Sequence, residues 1–361
     1  MYIVIFTSLI ALLLSYMESI GRLRNGMLYG FIIITLLSAI HYNYGNDYMS
    51  YYQLYLDIVS LPFNLTDIMN GVIYREPGWA ILNYVFSYIG GFFMLVAVLS
   101  VLQNVFIYKF IKREVEKKWW WLSVFVYLFV TYFYLMSFTM MRQWFVACVF
   151  LGLWSLIKEK KWMSPLIIII ICSYVHSSAK ILLPFAFYGF LPMRNSKMIV
   201  WTFVGVILAL WIGGSWINNL FDQTIAVTEL DNYVRVYGDA EIKSTGRGLG
   251  FMLTMIPLLV GLYYLLNADE STERKKALVL LSLIGFAINP MNDYFPMIGR
   301  LEVYFSIFQI VSVPLIYGFL KINFQKALLF LYVIVISYDY INFFSLWKRG
   351  FETFHTIFEV I

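Results

Sequence analysis

Charge is what this chain has least of. Only 13% of its 361 residues are Asp, Glu, Lys or Arg, against about 25% in an average soluble domain. With 61% hydrophobic residues and a mean hydropathy of +0.76, it cannot cover a globular surface with polar groups. That excludes a soluble enzyme, and no nucleic-acid partner is expected. Cysteine is nearly missing too. Cys148 and Cys172 both lie inside apolar runs, so a disulfide framework is excluded. H-E-x-x-H, C-x-x-C and G-x-S-x-G do not occur, and no metal or cofactor is expected. T-G-R-G-L-G (245–250) follows no strand and reads as a flexible lead into a helix rather than a nucleotide loop. The opening run MYIVIFTSLIALLLSYM has no basic region and no small-residue cleavage site before Glu18, so it reads as a spanning helix and not a cleaved signal. No window shows the period-2 alternation of a transmembrane barrel.

What remains is helix and membrane. Apolar runs of roughly 15–20 residues recur, the length a spanning helix needs. They fall at 2–17, 26–41, 91–110, 119–137, 142–157, 163–176, 179–191, 198–217, 249–266, 277–291, 301–320 and 327–344. This predicts an all-α polytopic membrane protein of about twelve spans, one integral-membrane domain over 1–361. The shorter runs at 163–176 and 179–191 are candidates for tilted, broken or re-entrant segments. One set of short linkers carries 17 Lys and Arg, among them Lys109, Lys112, Arg113, Lys117, Lys118 and Lys158, and the other side carries nine. The positive-inside rule makes the first side cytoplasmic and turns both termini outward.

Polar residues of other kinds gather on the outward side. Two long segments, 42–90 and 218–248, face that way, with short polar turns at 138–143, 176–180 and 290–300. Loops positioned by a rigid scaffold carry function. Asn46 is placed to cap a helix starting near Asp47, and Thr66 or Asp67 a second short one. On the first helix Asp47, Tyr51 and Tyr55 share a face, with Tyr48 and Tyr52 on the adjacent strip. A carboxylate beside phenol rings suits a pyranose; the same spacing serves an interfacial tyrosine belt. Pro77 after Glu76 fits a helix N1 position, and Gly90-Gly91 ends a run too short to span, so 79–89 reads as an interfacial helix on the outer leaflet. Arg142 opens a span on the side where topology requires no positive charge, although an arginine near a span end also snorkels. His176 and Lys180 lie in H-S-S-A-K between two spans, and Arg300 and Glu302 begin another.

In order, these outward elements are H-Y-N-Y-G-N-D-Y-x-x-Y-Y (41–52), E-P-G-W (76–79), M-R-Q (141–143), H-S-S-A (176–179) and R-L-x-x-Y-F (300–305). The series resembles the EpsG-like, Wzy-type polysaccharide repeat-unit polymerases of bacterial inner membranes. That family typically carries R-x-x-x-G-T-D-x-x-x-Y, E-P-G, an R-Q at a span start, H-x-S-A and a late R-x-x-x-Y. The resemblance covers 41–305. His41 stands where the family usually has Arg, and matches that charge only when protonated. Asn46 stands in place of Thr.

The resemblance implies a fold of the GT-C kind, with periplasmic interfacial helices. It implies a glycosyltransferase at the periplasmic face of the inner membrane. A glycan held on undecaprenyl pyrophosphate is transferred onto a lipid-linked repeat unit of an O-antigen or exopolysaccharide. The partners implied are that lipid-linked oligosaccharide, membrane lipid and a chain-length regulator. The pyrophosphate leaving group needs positive charge, and the planar fork of arginine suits it. Arg142, Arg300 and Arg247 are the candidates. His176, Asp47 and Glu76, in that order, are candidates for the acceptor's base. His41, Tyr48, Tyr51 and Tyr52 are candidates for holding sugars. A lipid-linked oligosaccharide flippase or an O-antigen ligase is the alternative; a flippase would show paired repeats, and none is seen between the halves.

Overall fold

In lipid every backbone polar group must be satisfied within its own segment, so apolar runs become helices. A computed structural model of the protein describes residues 1–193, 196–225, 249–269, 272–288, 298–346 and 348–359. Within these residues each of the twelve apolar runs falls on helical structure. Four helices are long and apolar enough to cross a membrane: Tyr2–Ser19, Gly91–Glu114, Ser196–Gly213 and Ile322–Phe344. Gly26–Ala39, Met163–Val175, Ile256–Asn267 and Gln309–Phe319 are apolar but shorter.

Several expected spans are broken, for local reasons. The run at 119–137 divides into α7 (Trp120–Phe129) and the one-turn α8 (Tyr134–Ser137). The run at 179–191 is a 3₁₀ helix over Ser177–Phe190 that contains Pro184, a residue with no N–H for an α-helical bond. At about 2.0 Å per residue its 14 residues reach roughly 28 Å, close to the roughly 30 Å hydrocarbon core that the same number of α-helical residues would miss. The helix Ser196–Ile225 continues into what the sequence marks as the second outward segment, and 226–248 lies outside the described residues.

The chain divides into two compact units, Met1–Leu191 with Val313–Ile361, and Pro192–Ser312. In the first unit α1 (Tyr2–Ser19) and α2 (Gly26–Ala39) pack backbone to backbone. A Cβ on Gly30 would lie 2.8 Å from the Ala11 carbonyl, and one on Gly26 would overlap that of Leu14. Small residues four apart permit that approach in a membrane, where close packing rather than water exclusion joins helices. The chain then makes a two-residue strand, β1 (His41–Tyr42), which pairs antiparallel with β2 (His355–Thr356). Gly45 N–H donates to the Gly350 carbonyl at 2.7 Å, and the Met1 ammonium to the Glu352 carbonyl at 3.3 Å. The N-terminus, the start of the 42–90 segment and residues 350–356 therefore meet at one end of this unit.

At that end three short helices form a layer. They are α3 (Tyr48–Ser60), α4 (Leu65–Met69) and α5 (Pro77–Ile89). Asn64, rather than Thr66 or Asp67, caps α4, its Oδ1 accepting from Thr66 N at 3.0 Å. Asn46 caps nothing with its side chain; Asp47 occupies the cap position of α3, and the Asn46 N–H donates to Thr139 Oγ1. Pro77 stands in the first turn of α5, and Gly90 (φ 153°) and Gly91 (φ 75°) bend the chain into α6 (Gly91–Glu114). The layer rests on a core of Tyr48, Tyr55, Ile58, Trp79, Tyr84, Phe92, Leu95 and Met141. Beneath it stand α6, α9 (Met141–Lys158) and α10 (Met163–Val175).

Candidate active site

Four chain segments end at one place. Glu76 is the N-cap of α5, Arg142 the second residue of α9, and His176 the hinge between α10 and the 3₁₀ helix. Tyr51 reaches in from α3. The approach is close: a Cβ on Gly78 would meet the Tyr174 backbone at 2.9 Å, so the glycine of E-P-G lets α5 lie against the end of α10. Gln103 of α6 donates to the Met141 carbonyl at 3.3 Å and fixes the first turn of α9.

Glu76 is the centre. Its Oε2 accepts from Arg142 Nη1, which also donates to the Tyr74 hydroxyl at 2.7 Å. Its Oε1 accepts from the Ser177 N–H at 2.8 Å and lies 3.2 Å from His176 Nδ1. The carboxylate is 2% exposed and the imidazole 12%. Burial pushes the Glu76 carboxyl up. The hydrogen bond from His176, the charge of Arg142 and the Ser177 N–H together outweigh it and hold the group at about 2. Glu76 is therefore ionised throughout the working range.

Arg142 stands in an aromatic cage. Its guanidinium carbon is 5.3 Å from the ring centre of Tyr51, 5.5 Å from Tyr74 and 5.6 Å from Trp79. Desolvated cation–π contacts contribute about 2 kcal/mol or more, so the rings offset part of the cost of burying the charge. Arg142 Nε, Trp79 Nε1 and both ring nitrogens of His176 are buried without a complete hydrogen bond among the described residues, Nδ1 standing at ion-pair distance from Glu76. Buried polar atoms are normally satisfied; four open ones around one ion pair mark a place built to meet something else.

The other expected residues are distributed as follows. Asp47 is exposed at the start of α3, within electrostatic reach of Tyr51. Tyr52 is half-buried and stacks on Phe93 at 6.0 Å. Tyr48 is fully buried against Phe92, its hydroxyl donating to the His41 carbonyl. His41 is 2% exposed, edge-on to Tyr48 and Phe138, with Nδ1 2.5 Å from the Ser38 carbonyl. Burial pushes its pKa down to about 4, so His41 does not supply the charge of the arginine usual at that position. Arg247 lies outside the described residues; Arg300 is in the helix Ile298–Ser306, its side chain outside them. Among the described residues no group of three His, Cys, Asp or Glu is placed to hold a metal.

Sequence reasoning missed Tyr74 and the backbone of Ser177, and did not bring Tyr51 against Arg142, where it walls the arginine cage. Tyr74 carried a signal, standing two residues before Glu76 in Y-R-E-P-G-W.

The fold and the buried ion cluster define an all-α membrane protein with a polar centre at one end of its helices. The EpsG family model matches residues 26–354, and the chain belongs to that family. No curated protein and no solved structure matches the chain significantly.

Proposed function

We propose that this protein is a polysaccharide repeat-unit polymerase, working at the periplasmic face of a bacterial inner membrane. It transfers a growing glycan from undecaprenyl pyrophosphate onto a lipid-linked repeat unit. Family membership supports the polymerase role. The observation that carries the reading of the site is the meeting of Arg142, Glu76 and His176 where the interfacial helices rest on the spans. Arg142 is assigned to the pyrophosphate; Arg300 and Arg247 are the further candidates that the family resemblance implies. Oriented positive charge there stabilises the leaving group. His176 is assigned to the acceptor hydroxyl, its imidazole standing at the hinge beside Glu76. Tyr51 and Tyr52 are assigned to the sugars.

Purified protein in nanodiscs, given lipid-linked repeat units, should make a ladder of polymers. His176→Ala should leave most single units unextended, with only a residual rate of ladder formation. A wild type that makes no ladder yet moves lipid-linked units across a vesicle membrane would replace this reading with a flippase.

The orientation has its own test. Cys148 and Cys172 are buried, so single introduced cysteines are readable. Ser50→Cys on α3 should react with an impermeant maleimide from outside, and Lys161→Cys should not. The reverse pattern would turn the active face inward.

A further inference from the structure

Glu76 cannot readily act as a base itself. Oε2 accepts from Arg142 and Oε1 from the Ser177 N–H, and both contacts stabilise the anion and weaken it as a base. What the carboxylate does reach is His176, with 3.2 Å from Oε1 to Nδ1. A neutral imidazole carries one N–H and one lone pair, and an ionised carboxylate selects the N–H. Neither ring nitrogen completes a hydrogen bond among the described residues; they differ in that Nδ1 stands 3.2 Å from the carboxylate, while Nε2 is buried with no charged partner.

We infer that Glu76 is a positioning residue: it holds His176 as the Nδ1–H tautomer and leaves Nε2 as the atom that takes the proton of the acceptor hydroxyl. The inference rests on the polymerase reading. The same oxygen of Glu76 also binds the Ser177 N–H, so ring and backbone of the hinge are fixed to one point. Arg142 then has a second duty, holding Glu76 ionised. In the reaction the acceptor oxygen attacks the anomeric carbon as its proton passes to Nε2. The carbon–oxygen bond to the pyrophosphate breaks, and the electron pair leaves with undecaprenyl pyrophosphate. Glu76 stabilises the imidazolium until it returns the proton to solvent. The charged and titratable groups around the pair are Arg142 from α9, Tyr74 from the segment before α5, and Tyr51 and Asp47 from α3. Lys180 lies on His176's own 3₁₀ helix.

Two measurements test this. The chain has three histidines, so ¹⁵N-histidine labelling of the wild type, with His176 assigned by its loss in His176→Ala, reads the tautomer directly. A proton on Nδ1 and a bare Nε2 are expected; a proton on Nε2 in the neutral ring overturns the inference, whatever the activity. In the polymerisation assay Glu76→Gln should lower kcat by about 10²- to 10⁴-fold, the range of a positioned base, with KM for the lipid-linked unit little changed. The acidic limb of its pH–kcat profile should move to lower pH, since the imidazolium loses its anionic partner. Glu76→Asp keeps the charge and should keep the limb near its wild-type position. In a His176→Ala background Glu76→Gln should cost nothing further. A Gln variant with wild-type kcat and an unmoved limb, or an equal loss in the His176→Ala background, overturns the positioning role. A wild type that makes no polymer overturns the polymerase reading instead, and the tautomer result stands apart from it.

Discussion

Two glutamates in the first unit each bridge two basic groups, and α9 contributes to both clusters. At its start Arg142 meets Glu76, which also faces His176. At its end Lys158 meets Glu114 at 2.8 Å, and Glu114 also holds Arg113 at 2.6 Å. The clusters differ in their surroundings. Glu114 joins the ends of α6 and α9 and is 9% exposed, with Lys158 at 16% and Arg113 at 32%. Glu76 is buried, its arginine is caged by three rings, and open polar atoms surround it. An ion cluster that only ties helix ends can stay wet. One that is desolvated costs several kcal/mol per charge before its attraction is counted, and that cost is accepted where the charges act on something.

The comparison breaks most visibly at the buried end. Arg142→Ala should destabilise the fold by about 3–5 kcal/mol, because it leaves the Glu76 charge buried and unpaired. Thermal unfolding in detergent measures this, and a loss below about 1 kcal/mol would make the pair a surface-like contact. Replacing both partners, with Arg142→Met and Glu76→Gln together, should recover much of the stability while polymerisation stays abolished. Recovery of both would remove the cluster from the chemistry.

A smaller effect is expected from Gly45, which sits at φ 107° with a would-be Cβ 2.5 Å from the Phe138 carbonyl oxygen. Gly45→Ala should cost about 1–3 kcal/mol and loosen the start of α3, read as faster proteolysis within 42–60.

Acid tests the ionisation of Glu76. The Glu76 carboxyl titrates at about 2 when folded, below its ordinary 4.5. Its contribution to stability is complete above about pH 4.5 and disappears as the pH falls toward 2. The difference in unfolding midpoint between wild type and Glu76→Gln should narrow over that window, and a difference independent of pH there would contradict an ionised Glu76.

The smallest change belongs to the Glu114 end. Glu114→Gln should shift stability by no more than about 1 kcal/mol and leave polymer length and yield unchanged. A strong loss of polymer would assign a role to the Glu114 cluster that its surroundings do not indicate.

What the sequence determined by itself is what local physics decides. Apolar runs without charge had to become membrane helices, because lipid offers the backbone no other partners. Pro77 had to open a helix and Gly90-Gly91 had to end it, since φ and the missing N–H are properties of single residues. The outward cluster of Asp47, Glu76, Arg142 and His176 was also visible as a list of polar residues on the side where none was needed. Which of them meet was not visible. Glu76 and Arg142 stand 66 positions apart, and Glu76 and Ser177 101. No spacing rule reaches that far, so the bridge exists only because α5, α9 and the α10 hinge end at one point. Tyr48 and His41 show the converse: residues that read as sugar contacts turn inward and pack against Phe92 and Phe138. A tyrosine or histidine has an apolar body as well as a polar tip, and only the packing of the helices decides which of the two faces the work.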